Sequence, residues 1–164
     1  MEIARHLLTY YDAKLLVLGR RHLPQPDPTR ELGTSATVAL KELRVLSADV
    51  RYAVADVTDE QRVRTCIEQA EAHWKTRVVG VVHLASHYTE HSLLECSADQ
   101  LTAAMEPKIC GAWNLHQILK ERPGSALILF SSATGYFGAV MQGPYAAANA
   151  ALDAFADHLH TEAA

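Results

Sequence analysis

Long apolar runs are absent. Those present are short: Leu15 to Leu18 and Val78 to Val82, for example, are flanked by charged, Gly or His residues and fall far short of the roughly 20 residues a membrane span needs. No positively charged start leads into an apolar core, so no secretory signal is visible. Basic runs and tails are also missing. With 15 Lys and Arg against 19 Asp and Glu, the formal charge is -4, which argues against a nucleic-acid footprint. Cysteine is scarce: Cys66, Cys96 and Cys110 are odd in number and widely spaced, a usage that fits a reducing cytoplasm better than a disulfide framework. None of the eight glycines precedes Gly19. No internal repeat, low-complexity segment or composition shift marks a linker. What remains is 164 residues, 49% hydrophobic and 21% charged. That is a globular composition, and a chain of this size buries roughly 70% of its unfolded surface. One domain over 1–164 is expected.

Hydrophobic spacing reads as helices and strands in alternation. Ile3, Leu7 and Leu8 share a helical face in residues 2–9, and Lys14 to Leu18 reads as a buried strand ending at Gly19-Arg20-Arg21. Residues 22–34 hold three prolines and read as a loop. The spacing of Val38, Leu40, Leu43 and Leu46 predicts a helix, and Val50 to Val54 a second strand that leads to Asp56. Thr58 to Gln61 has the form of a capping box, opening a helix to about Trp74. Val78 to Leu84 is a third strand. Ser97 to Gln100 is another capping box, starting a long helix to about Lys120 that Pro107 should kink. Ala126 to Ser131 is a fourth strand; a Gly-rich loop then leads to a helix from about Pro144 to His160.

This order predicts βαβ units, a parallel sheet and helices on both of its faces. Ligands of such sheets bind at the carboxyl ends of the strands, where Gly19, Arg20, Arg21, Asp56, His83, Ser86, Ser131 and Ser132 gather. Phe130-Ser131-Ser132 closes a strand, and Tyr145 opens a helix with Asn149 one turn further along the same face. A phenol ionises at about 10, so acid chemistry at neutral pH needs a neighbouring cation. Lys108 is the candidate. A plainer reading has Tyr145 packing, Ser132 capping a turn and Lys108 solvated. His83, His87 and His91 are spaced by four but cannot share one helix, because His83 ends a strand; no metal site is expected. The cysteines lack ligand spacing and read as buried or incidental thiols. Trp113 reads as core.

Phe130-Ser131-Ser132, the Gly-rich loop and the run from Tyr145 to Ala156 resemble the active-site segment of ketoreductase domains. These are domains of modular polyketide synthases and mixed peptide and polyketide assembly lines, within the short-chain dehydrogenase/reductase superfamily. Leu16 to Arg21, Ala55 to Asp59, Gly80 to Ala85 and Pro107 to His116 carry the resemblance upstream, in order over nearly the whole chain. Ordinary superfamily members place Lys four residues after the Tyr. Ketoreductase domains have Asn there and Lys on the earlier helix, as Asn149 and Lys108 stand here.

The resemblance implies a Rossmann-like doubly wound α/β fold and a catalytic set of Ser132, Tyr145, Lys108 and Asn149. Tyr145 would donate the proton to a β-keto oxygen, Ser132 would hydrogen-bond that oxygen, and Lys108 would act on the phenol with Asn149 in support. Ser131 is the lesser partner, because the family's Ser is the second of the pair. Arg20 and Arg21 stand where an acidic residue would read the ribose of NAD, which favours NADPH. Gly19, Asp56, Val57, His83, Leu84 and Ala85 complete the implied cofactor set, and Ser86 stands where the family usually has Gly. The implied partners are an acyl carrier protein holding the β-keto thioester and neighbouring synthase domains, with no membrane and no nucleic acid. The stereochemical markers are not legible: Tyr88-Thr89-Glu90 replaces a Leu-Asp-Asp segment, and Phe137 a Trp.

A dinucleotide fold begins with a strand and a Gly-rich turn that receives the pyrophosphate, whereas this chain opens in a helix. A further strand and a covering segment expected of the family after the last helix are missing as well. The expectation is therefore an incomplete ketoreductase domain, in which the strands near residues 16 and 80 lose their shared central partner. By itself it would bind NADPH weakly and reduce nothing measurable. The alternative reading is a non-catalytic Rossmann-like fragment or interaction module.

Overall fold

The computed structural model describes residues 1–23, 35–90 and 94–163. The proline-bearing stretch 24–34 and His91, both read from the sequence above, lie outside the described residues. Ten elements run in the order α1 (Glu2–Tyr11), β1 (Leu15–Gly19), α2 (Ser35–Leu46), β2 (Val50–Val54), α3 (Glu60–Trp74), β3 (Gly80–His83), α4 (Ala98–Lys120), β4 (Ala126–Leu129), α5 (Thr134–Phe137) and α6 (Gly143–Ala163). The class is α/β with parallel strands. Within the span read as one domain, the residues gather in two compact units: Met1–Asp56 with Gln61–Arg77, and Val57–Glu60 with Val78–Ala164.

In the first unit β1 and β2 pair in parallel, Leu15 opposite Val50 through Gly19 opposite Val54. Backbone bonds extend the ladder at both ends, from Leu15 N to Asp49 O (2.9 Å) and from Ala55 N to Gly19 O (3.1 Å). Leu8 of α1, Leu40 and Leu43 of α2 and Val50 of β2 form the core, with Leu15, Val17 and Tyr52 packed against it. The Tyr52 ring lies over Gly19, where any side chain would collide with its hydroxyl, and that hydroxyl donates to the Arg21 carbonyl at 2.6 Å. A larger residue at position 19 would therefore have to displace that hydroxyl from the Arg21 carbonyl.

In the second unit β3 and β4 pair in parallel, Gly80 opposite Ala126 through His83 opposite Leu129. Phe130 N continues the ladder to His83 O at 3.1 Å. The long helix α4 buries Ala104, Lys108, Gly111, Ala112, Leu115, Ile118 and Leu119 along one stripe, the three-and-four spacing of a core-facing helix. α6 buries Ala148, Asn149 and Leu152.

The described strands form two two-stranded parallel sheets, β1 with β2 and β3 with β4. β1 and β3, the strands expected to miss a shared neighbour, each have one partner. Two local expectations change. The Gly-rich segment after β4 contains a helical turn, α5, followed by Gly138 at φ 67°. α3 starts at Glu60, one residue later than a cap at Thr58 would place it. Pro107 sits inside an unbroken α4. None of the described helices is long and apolar enough to cross a membrane.

The second capping box is formed in full: Gln100 N donates to Ser97 Oγ at 3.2 Å and Ser97 N to Gln100 Oε1 at 2.8 Å. Ser97→Ala removes one acceptor from the first turn of α4 and should lower unfolding stability by about 1 kcal/mol. A urea midpoint measurement checks this.

Candidate active site

The residues singled out around Tyr145 lie in the second unit and converge on the carboxyl ends of β3 and β4. Lys108 projects from the buried stripe of α4, is only 3% exposed, and donates from Nζ to the carbonyl of Phe130 at 2.7 Å. The same ammonium stands 5.9 Å from the centre of the Tyr145 ring. The solvated lysine of the plainer reading is therefore not what the fold produces. Burial pushes the Lys108 ammonium below its ordinary pKa, with Asp153 opposing, because a low-dielectric surrounding disfavours the charged form.

Asn149 is fully buried and donates from Nδ2 to the Tyr145 carbonyl one turn back, at 2.7 Å. Its Oδ1 is buried with no hydrogen-bond partner among the described residues. Tyr145 is half-buried. A second phenol, Tyr88, meets it edge-on with ring centres 5.3 Å apart. Tyr88 donates to Glu90 Oε1 at 2.7 Å and accepts from Gln142 Nε2 at 3.0 Å. The bond to the Glu90 carboxylate raises the Tyr88 pKa above the ordinary phenol value. Of the two phenols, Tyr88 has its proton committed, while Tyr145 has the cation.

The two serines diverge. Ser131 Oγ donates to the Asn149 carbonyl at 3.3 Å, which ties β4 to α6. Ser132 Oγ accepts from Thr134 N at 3.3 Å and from Thr134 Oγ1 at 3.0 Å, so it does cap the turn into α5. A hydroxyl has two lone pairs and one proton. With both lone pairs engaged, Ser132 can only donate.

Sequence reasoning missed several supporting groups. Asn114 reaches the carbonyls of Val57 and Thr58, both at 3.0 Å, and so pins the segment after β2 to α4. A buried Asn three residues past Gly111 on a lysine-bearing stripe was the available signal. His83, read as a cofactor residue, is buried at 3% exposure with Nε2 at 3.1 Å from the Lys108 carbonyl. Leu84 is exposed and Ala85 half-buried just beyond it; His87 follows outside any helix.

In the first unit Arg20 and Arg21 follow the carboxyl end of β1, both exposed, and neither guanidinium has a carboxylate partner among the described residues. Asp56 lies two residues past β2. Two adjacent exposed guanidiniums are a donor set suited to a phosphate, so the residues present fit the phosphorylated form of a nicotinamide dinucleotide.

Alternating parallel strands and helices define a Rossmann-like α/β fold. The KR domain family matches residues 1–164. The chain belongs to that family, the ketoreductase domains of polyketide synthases within the short-chain dehydrogenase/reductase superfamily. It is 36% identical over 157 residues to the spectinabilin polyketide synthase system protein NorB of Streptomyces orinoci, covering 96% of this chain and 7% of that protein. Among solved structures, PlmKR1, the ketoreductase of the first module of phoslactomycin biosynthesis in Streptomyces sp. HK803, matches with a TM-score of 0.78 and 30% identity, over 98% of this chain and 35% of that one. An adenylation, ketoreductase and pseudo-Asub structure of a keto acid-selecting nonribosomal peptide synthetase module matches with a TM-score of 0.85 and 28% identity, over 96% of this chain and 13% of that one. The chain thus spans about a third of the ketoreductase chain and a small part of the synthase.

Burial holds His83 below the ordinary histidine pKa; the Lys108 charge acts the same way and bonds to the Lys108 and Pro107 carbonyls oppose. Unfolded, His83 takes up its proton near ~6.5; folded, it does so only at lower pH. The unfolded state therefore binds more protons in that window. Stability from neutral His83 is complete above ~6.5 and is lost as pH falls through the folded value. Urea midpoints should drop between about pH 7 and pH 5 by more in wild type than in His83→Gln, which has no proton to gain.

Proposed function

We propose that this chain carries the reducing site for a β-keto thioester tethered to an acyl carrier protein, in a polyketide or mixed peptide and polyketide assembly line, with NADPH as reductant. The observation that carries this reading is the buried Lys108 ammonium, bonded to Phe130 O at 2.7 Å and set beside the Tyr145 ring at 5.9 Å. When bound, NADPH would supply the hydride for the keto carbon. Tyr145 gives its phenolic proton to the keto oxygen, so hydride and proton together turn the ketone into a secondary alcohol. Ser132, its lone pairs engaged by Thr134, donates a hydrogen bond to the oxygen as negative charge builds there. Lys108 stabilises the phenolate that Tyr145 leaves behind, and Asn149 holds the backbone of Tyr145 through its carbonyl.

Arg20 and Arg21 would hold the 2′-phosphate by charge-assisted bonds. Gly19, Asp56, Val57, Leu84 and Ala85 are the further residues proposed to hold the cofactor, whereas the His83 ring is buried against the Lys108 carbonyl. Neighbouring synthase domains would deliver the carrier-bound ketone and take the alcohol onward, and the chemistry belongs to the cytoplasm, where NADPH is available.

Two experiments on the protein as encoded test this reading. Tyr145→Phe removes only the proton donor, so reduction of a β-keto thioester should fall by at least ~100-fold while NADPH affinity stays nearly unchanged. Retained turnover would remove Tyr145 from the mechanism. Replacing Arg20 and Arg21 together with Ala should weaken NADPH far more than NADH in calorimetric titration, since only the former carries the phosphate they would pair with. Equal losses would count against the cofactor assignment, and failure of the wild-type protein to bind either form would favour a non-catalytic module.

A further inference from the structure

Three residues close a circuit of hydrogen bonds around the Lys108 ammonium. Phe130 N donates to the His83 carbonyl at 3.1 Å. Lys108 Nζ donates to the Phe130 carbonyl at 2.7 Å. His83 Nε2 stands 3.1 Å from the Lys108 carbonyl, and because a carbonyl can only accept, Nε2 carries the proton. Main chain and side chain of His83 thus hold both the acceptor that receives the ammonium and the backbone from which the ammonium springs.

His83 attaches one residue past the proline of α4. Pro107 has no N–H to donate back along the helix, and its ring crowds the carbonyl of Ala103. The turn leading into Lys108 therefore lacks a rung of the helix ladder. His83 attaches immediately after that gap. Its ring fits because residue 111 is glycine: a Cβ there would come within 3.0 Å of His83 Cε1 and 2.7 Å of Val57 Cγ1. A carbonyl at one edge of the imidazole and an α-carbon at another fix the ring at two points.

We infer that His83 is the positioning residue of the reducing site: through Nε2–H it holds the Lys108 backbone at the Pro107 gap, and so sets the Lys108 ammonium against Phe130 O and Tyr145. This inference rests on the role proposed above for Lys108. His83 itself touches no reacting atom. Its effect is on where the charge stands, and a displacement of about 1 Å can cost on the order of a hundredfold in rate.

The test compares two amides of different reach in the protein as encoded. The side-chain nitrogen of Gln matches His Nε2 in its number of bonds from Cβ, whereas the nitrogen of Asn stops one bond short. His83→Asn should lower kcat by about 10- to 100-fold with KM for NADPH and for a β-keto thioester changed less than about threefold; His83→Gln should restore kcat to within about threefold of wild type. A second readout does not depend on turnover. With 15N-labelled lysine, the Lys108 ammonium should give an exchange-protected signal in wild type and His83→Gln that is lost in His83→Asn, at unchanged circular dichroism. Equal kcat and equal lysine protection in both variants, with Lys108→Met inactive, would overturn the inference and leave the proposed function standing. An active Lys108→Met would instead overturn the role of Lys108, and with it the link from His83 to the reaction.

Discussion

Everything in the second unit is arranged around one costly group, the Lys108 ammonium. Removing a charge from water costs several kcal/mol unless it is paired or well hydrogen-bonded. Lys108 has no carboxylate at ion-pair distance among the described residues; its ammonium donates to the neutral carbonyl of Phe130. A carboxylate partner would cancel the charge as seen by Tyr145. A carbonyl dipole holds the ammonium in place and leaves its field available. Such an arrangement is poor for stability and useful for chemistry, the pattern expected where a perturbed ionisable group serves a site.

Much of the fold was legible because the local rules agree. Val50 to Val54 is the strand expected there, and the Ser97 capping box starts α4 where its chemistry requires. Boundaries shifted where those rules were weak: Gly135 and Gly138 disguise the turn of α5, and Thr58 yields the start of α3 to Glu60. The burial of Lys108 was written in the sequence and passed over. Ala104, Lys108, Gly111, Ala112, Leu115 and Ile118 recur at three and four, and a lysine on an apolar stripe is either an error or a site. The direction of the His83 side chain could not be read, because position along a strand gives the face while the partner comes from another element, folded 25 residues away.

The same logic separates residues of one type that the sequence leaves equivalent. Ser131 and Ser132 are neighbours with identical chemistry. Ser131 spends its proton on Asn149 O, whereas Ser132 has its lone pairs taken by Thr134 and keeps its proton. Tyr88 and Tyr145 are adjacent phenols, but the Glu90 carboxylate engages the proton of the first. In each pair the neighbouring groups, main chain or side chain, decide which hydroxyl keeps its proton uncommitted.

Gly111 shows how packing and chemistry become one constraint. No turn or positive φ demands glycine there, since the residue lies within α4. What demands it is the approach of His83 from β3 and of Val57 from the segment that Asn114 anchors. A side chain at 111 would push on both Val57 and the imidazole that bonds the Lys108 carbonyl. The resulting error would pass along the helix to the ammonium and from there to the phenol. A residue with no functional group is thus tied to the placement of the Tyr145 phenol, three elements further along the chain, by nothing more than the space it leaves empty.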